Sequence, residues 1–337
     1  MNIVRLITTV DTHTAGEPTR IVTGGLPPLP GATMAAKRDF FAAHLDELRG
    51  MLTQEPRGHS AMHLAVLTPP TRPEADAAAL IMNAFGFLNM CGHATLGIAT
   101  ALVELGLVAA AEPTTRLTFE TLGGLIPLEI EVSDRSVQSV TFRNLPAFAY
   151  QHDLRLQVPG LGQLTVDVVY GGLWYVVVEA AQLGLSVDSA QIDELLRLGH
   201  LIREALNQQV EVRHPATGRP ERVELTLYVG PPGRPEAHAK NVVVMGRQIY
   251  DRSPGGTGTS ARMAQLWSRG ELQLGQEFVH ESIIGTTFRG RLVEETQVGP
   301  HKAVIPKIRG QAFITGLHQF VLSAGDPLRS GFLVGGP

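Results

Sequence analysis

The sequence predicts a mixed α/β protein made of two similar halves, each a β-rich body wrapped around one helix. A loop-to-helix block, Asn89-Met90-Cys91-Gly92-His93-Ala94-Thr95 closing at Gly106, recurs as Ser253-Pro254-Gly255-Gly256-Thr257-Gly258-Thr259 closing at Gly270. Cys91 aligns with Gly255, Gly92 with Gly256, Thr95 with Thr259 and Gly106 with Gly270, always 164 residues apart. A second echo, Phe119-Glu120-Thr121-Leu122-Gly123-Gly124 against His280-Glu281-Ser282-Ile283-Ile284-Gly285, is offset by 161, as a small loop change would produce. With 337 residues the chain exceeds one ordinary core, so two domains are expected. Their expected extents are 1–145 with about 318–337 for the first half and 146–317 for the second, with the crossover near Leu145 to Gln151. The two junctions are expected to face one cleft.

The elements follow from local pattern. Val4 to Val10 is rich in β-branched residues and ends at the polar Asp11 to Gly16, which reads as strand then turn. Apolar positions 40, 41, 45, 48 and 52 fit one helix over Lys37 to Leu52. Met62 to Leu67 reads as a strand before Pro69-Pro70, and Ala78 to Phe87 as a short apolar run ending against Asn89. Gly92 to Leu105 is almost wholly apolar or small, so a helix there is buried on all sides, with Gly106 as its stop. Strand-like segments follow at Leu117 to Val132, Val137 to Arg143, Leu164 to Tyr170 and Leu173 to Glu179. A helix is expected over Ser189 to Asn207, strands over Val223 to Val229 and Val242 to Ile249, and the second junction's helix over Thr259 to Arg269.

Composition narrows the function. Apolar content of 44% with 18% charged residues suits a globular chain rather than a disordered one. A formal charge of −4, with no Lys/Arg run, offers no field for nucleic acid, so a small molecule is the expected partner. A single cysteine rules out an internal disulfide. The segment Met1 to Val10 lacks signal-peptide character, and a cytoplasmic location is the default expectation. Ala84 to Ala111 is interrupted by Asn89, His93 and Glu104, so a buried helix is expected rather than a membrane span.

The junctions suggest chemistry. A helix N-terminus leaves N–H groups unpaired and carries partial positive charge, and glycines at 92, 256 and 258 allow an anion to approach. The same position favours the thiolate of Cys91, which can serve as nucleophile or as proton-abstracting base. A base beside a clamped carboxylate suits removal of an α-proton, because the N–H groups also stabilise the developing charge. The opposing structural readings are an inert buried thiol for Cys91 and a turn for Asp11 and His13. Asp251 is a candidate for a substrate amine or a partner of Arg252, and Glu120 and Glu281 read as solvated or turn residues. Gly255 to Thr259 lacks the Gly-Lys-Ser/Thr ending of a phosphate loop. His59 and His63 have metal-pair spacing but no accompanying Glu motif, so no metal site is expected.

The two blocks, taken as Met90–Thr95 and Asp251–Ala261, resemble the signature segments of the proline racemase family. So do Asp11–Arg20, Glu55–His59 and Glu281–Gly285, and the similarity runs from about residue 8 to Asp326-Pro327 and Gly331-Phe332. The resemblance implies a diaminopimelate-epimerase-like fold, with two mixed β-barrel halves each around a central helix. It also implies a cofactor-independent enzyme acting at the α-carbon of proline or hydroxyproline, with a homodimer as an open expectation. By motif position Cys91 is the base, Gly92, His93, Gly256 and Thr257 hold the carboxylate or ring nitrogen, and Asp251 holds the amine.

The departure is Gly255. Racemases and 4-hydroxyproline epimerases of this family carry a second cysteine there, whereas dehydratases of trans-3-hydroxy-L-proline keep only the first and place threonine at the second position. Elimination needs one strong base, so the expected reaction is dehydration of trans-3-hydroxy-L-proline to pyrroline-2-carboxylate. Two alternatives stand beside it: a proline racemase or hydroxyproline 2-epimerase with another proton donor, and a non-catalytic amino-acid-binding protein. Leu173-Trp174, where members often have Asn and Phe, is a further departure. The lack of a histidine over Val223 to Val229 weighs against 4-hydroxyproline epimerisation.

Overall fold

The structure is a computed structural model and describes residues 3–246 and 249–334. It forms two compact units, Met1–Phe142 with Gly310–Gly336, and Arg143–Arg309. In the first, β1 (Ile3–Thr14), β2 (Glu17–Gly24), β3 (His63–Thr68), β4 (Ala77–Asn83), β5 (Gly86–Leu88), β6 (Thr114–Thr121), β7 (Gly124–Ser133) and β8 (Ser136–Arg143) are joined by the late strand Ala312–Ser323. Its helices are α1 (Met34–His44), α2 (Asp46–Thr53) and α3 (Gly92–Glu104). The second holds β9 (Phe148–Val158), β10 (Gly162–Tyr170), β11 (Trp174–Glu179), β12 (Val212–Arg213), β13 (Pro220–Glu221), β14 (Leu225–Gly230), β15 (Ala239–Val244), β16 (Tyr250–Asp251), β17 (Glu277–Ser282), β18 (Thr287–Val298) and β19 (His301–Gly310). Its helices are α4 (Ile192–Gln209) and α5 (Gly256–Ser268).

The pairing succession is the same in both units. From the late strand through β1, β2, β3, β4, β6, β7 and β8 the pairs run antiparallel, antiparallel, parallel, antiparallel, parallel, antiparallel, antiparallel. From β9 through β10, β11, β14, β15, β17, β18 and β19 the same sequence of senses recurs. The first unit therefore draws its first strand from the far end of the chain. Helices occupy equivalent crossovers: α1 and α2 lie between β2 and β3, and α4 between β11 and β14. Two similar mixed α/β halves are thus present as expected.

Burial explains the apolar runs. In the second unit Val176, Val178, Tyr228, Val242 and Val244 pack with the Leu195, Leu196, Ile202 and Leu206 face of α4. The alternate residues Tyr175, Val177, Leu227, Val229 and Val243 pack with Ala261 of α5. Strands covered on both faces lose polar alternation. In the first unit Phe41, Leu48 and Met51 cover Ile7, Val22, Leu64, Val66 and Leu80, and every residue of α3 from Gly92 to Val103 is buried.

Several expectations are corrected locally. The helix expected over Lys37 to Leu52 is two, broken at Leu45, where φ is −133°; Thr33 opens the first by accepting the Ala36 N–H at 3.1 Å. The run Ala78 to Phe87 folds back as β4 and β5, because Asn83 Oδ1 accepts the N–H groups of Phe85 and Gly86 at 2.9 and 3.2 Å. β15 ends at Val244; residues 247 and 248 of the strand expected to reach Ile249 lie outside the described residues. Glu120 and Glu281 are not solvated: both are 2% exposed. Glu120 accepts the N–H and hydroxyl of Thr71, each at 2.6 Å. Glu281 accepts the N–H groups of Gly233 and Arg234 at 2.7 and 2.9 Å. The second echo is thus a pair of buried loop anchors. Among the described residues no helix is long and apolar enough to cross a membrane.

Candidate active site

The two junction helices correspond residue for residue: α3 and α5 are each 13 residues long. Both close alike, with Leu107 N–H donating to Leu102 and Glu271 N–H to Leu266, at 2.9 and 2.8 Å. Both open alike, with Thr95 N–H on the Cys91 carbonyl at 3.0 Å and Thr259 N–H on the Gly255 carbonyl at 2.9 Å. Neither is capped by a side chain, in contrast to α1 with Thr33. A buried, uncapped helix start is costly unless a ligand accepts its N–H groups, and the dipole favours an anion there.

In the first unit Cys91 is the residue before α3, extended at φ −143°, and 9% exposed. Its Sγ lies 3.3 Å from His93 Nδ1 and 3.7 Å from Nε2. Thr14 fixes the His93 backbone by donating its hydroxyl to the carbonyl at 2.8 Å. Burial, with a smaller contribution from neighbouring His63, holds the His93 imidazole well below its ordinary pKa, so the ring is neutral at physiological pH. His63 meets His93 edge-on, with ring centroids 4.3 Å apart. Its Nδ1 lies 3.2 Å from the Ala61 carbonyl and 3.8 Å from Glu17 Oε1.

In the second unit Asp251 is 8% exposed. Its Oδ1 accepts the Ser253 N–H and hydroxyl at 2.8 and 2.7 Å. Desolvation pushes its pKa up from 3.8 to about 6, against the lowering influence of Ser253 and Arg252. Gly255 holds φ 74° and ψ 122°, a conformation open to glycine and strained for other residues. A Cβ built on it would stand 3.4 Å from Asp251 Oδ2. The carboxyl oxygen thus borders the space that a side chain at 255 would enter. Gly256 begins α5, and Thr257 Oγ1 lies 2.6 Å from the Tyr175 hydroxyl.

The structure therefore brings Cys91, Gly92 and His93 together in one unit, and Asp251, Gly255, Gly256 and Thr257 together in the other. Sequence reasoning weighed His63 only as a metal partner of His59 and set it aside, and it missed Tyr175. His63 is the first residue of β3 and Tyr175 lies on β11, and their contacts arise from strand pairing, for which spacing gives no signal. Asp11 is structural: its carboxylate takes Arg20 Nε at 3.1 Å and a second guanidinium nitrogen at 2.8 Å. His13 Nδ1 accepts the Gly16 N–H at 3.3 Å, closing the first hairpin.

A family profile described as proline racemase matches residues 9–333. The chain belongs to the proline racemase family. It is 42% identical over 334 residues to a proline racemase of Clostridioides difficile, covering 99% of this chain and 100% of that one. It is 45% identical over 334 residues to a 4-hydroxyproline 2-epimerase of Streptosporangium roseum, again covering 99% and 100%. A hydroxyproline epimerase from Agrobacterium vitis, solved with bound trans-4-hydroxy-L-proline, superposes with a TM-score of 0.89 at 33% identity, covering 99% of this chain and 96% of that one. These racemase and epimerase relatives overturn the lyase and dehydratase expectation. That expectation equated a missing second thiol with a missing proton donor, whereas Asp251 places a protonatable carboxyl beside Gly255.

Proposed function

We propose that this member of the proline racemase family inverts the α-carbon of a pyrrolidine-2-carboxylate, proline or a hydroxyproline, without a cofactor. The reading is supported by racemase and epimerase relatives along nearly the whole chain. The observation that carries the mechanism is the Asp251 carboxyl next to the vacant side-chain position of Gly255.

Inversion requires a base for one face of the α-carbon and an acid for the other. Cys91 is assigned the first role as thiolate: sulfur takes the α-hydrogen, and the C–H electron pair passes into the carboxylate as an ene-diolate. The N–H groups at the starts of α3 and α5, from Gly92, His93, Gly256 and Thr257, are assigned to the carboxylate whose charge grows in that step. Neutral His93 packs its ring against the sulfur, and the Thr257 hydroxyl, held by Tyr175, adds a polar contact. Asp251, protonated, returns a proton to the opposite face. The products are a thiol and a carboxylate, which run the reverse reaction with their roles exchanged.

Proton NMR and polarimetry in D2O with each enantiomer of proline and 4-hydroxyproline test this directly. Inversion with deuterium at the α-carbon is expected. In Asp251→Asn, one enantiomer should still exchange its α-proton without inverting; in Cys91→Ala, only the other should. Were Asp251 solely an amine anchor, its removal would abolish exchange of both enantiomers together.

A further inference from the structure

The His63, Cys91 and His93 side chains are all buried, and one donor atom from each lies within 4.8 Å of the other two. One thiolate and two imidazoles form a donor set suited to zinc, and three protein ligands leave a fourth position open. The distances fit: zinc at ~2.3 Å from sulfur and ~2.0 Å from nitrogen sets a tetrahedral S···N separation of about 3.5 Å. The Cys91 sulfur stands 3.3 Å from His93 Nδ1 and 3.7 Å from Nε2, close enough in separation but off both lone-pair axes, so coordination requires the His93 ring to turn.

The surroundings of His63 match those of a ligand. A carbonyl only accepts, so the 3.2 Å contact with Ala61 places the hydrogen on His63 Nδ1 and leaves Nε2 as the lone pair. Glu17, fully buried, stands 3.8 Å from the same Nδ1. A histidine whose second nitrogen is held by a backbone carbonyl is a usual supporting arrangement for a metal ligand.

We propose that His63, Cys91 and His93 form a zinc site that sequesters the Cys91 thiolate and thereby switches the enzyme off reversibly. This goes beyond the racemase reading, and binding can be measured whether or not that reading holds. No bond other than the coordination bonds forms, and the thiol proton is released to solvent as zinc binds.

The experiment titrates chelator-treated protein with Co2+ and then with Zn2+. A thiolate-to-cobalt charge-transfer band is expected to saturate at one ion per chain, to disappear on addition of one equivalent of Zn2+, and to be missing in Cys91→Ser. Zn2+ affinity should fall by about 10- to 100-fold in His63→Phe or, should that variant not fold, in His63→Gln. Where inversion is measurable, Zn2+ should abolish it and chelator restore it. A cobalt spectrum without a thiolate band would overturn the proposal, as would undiminished zinc affinity in a folded His63 variant.

Discussion

The starts of α3 and α5 have the same length of helix behind them, the same closing hydrogen bonds and the same lack of a capping side chain. They differ at the residue before the helix. At Cys91 the backbone is extended at φ −143° and presents a side chain; at Gly255 φ is 74° and there is none. The thiol sits beside a neutral imidazole, whereas the glycine sits beside a carboxyl whose pKa is about 6. On the proposed mechanism, a duplicated scaffold keeps an uncapped helix start twice and supplies the proton-carrying group in two ways. In the first unit it lies on the cap residue, and in the second on β16, four residues earlier.

The largest expected effect comes from removing the thiol. Cys91→Ala should lower the inversion rate about 10⁴-fold, the upper range for losing a general base, with its melting temperature little changed because extended backbone suits alanine. Asp251→Asn should lower inversion by about 10²–10³-fold while leaving single-enantiomer exchange, read by NMR. Equal loss of exchange for both enantiomers would break the contrast between the two starts.

The carboxyl also sets a pH dependence. With both groups protonated there is no base, so kcat/KM for inversion should rise with pH through about 6, the pKa of Asp251. The residual exchange of Asp251→Asn should lack that inflection. Stability has the opposite sign. The folded pKa lies above the ordinary 3.8, so the folded chain holds the extra proton between the two values and stability falls as pH rises across that window. Asp251→Asn should remove the fall and gain up to about 3 kcal/mol at pH 8 in denaturant titrations. Lost activity with gained stability would mark a group kept for function.

Smaller effects test the backbone side of the comparison. Gly255→Ala should cost about 1–3 kcal/mol through its positive φ, since the new Cβ meets only ordinary contacts at 3.4 Å and beyond. Thr33→Ala, which removes the α1 cap seen in neither junction helix, should cost about 1 kcal/mol. Thermal unfolding of the two variants checks both values.

Much of this was legible in the chain because the information was local or repeated. The 164-residue offset located both helices and their caps, and Cys91, Gly92 and His93 came together because residues beginning one helix are neighbours by construction. The break at Leu45 was hidden because its apolar period continues unbroken across two helices. Glu120 and Glu281 were misread because a buried carboxylate anchoring loop N–H groups looks, in sequence, like any turn residue.

By itself the sequence determined two similar α/β halves, their central helices and the single thiol, since hydrophobic periodicity, glycine stops and repetition act over short spans. Only the tertiary structure decided what stands beside each cap. Strand pairing carried His63, nearly thirty residues before Cys91, to the His93 ring, and the turn after β16 aimed Asp251 at the space left by Gly255. Burial then lowered the pKa of His93 and raised that of Asp251, because desolvation depends on what surrounds a group in space rather than on its neighbours in the chain.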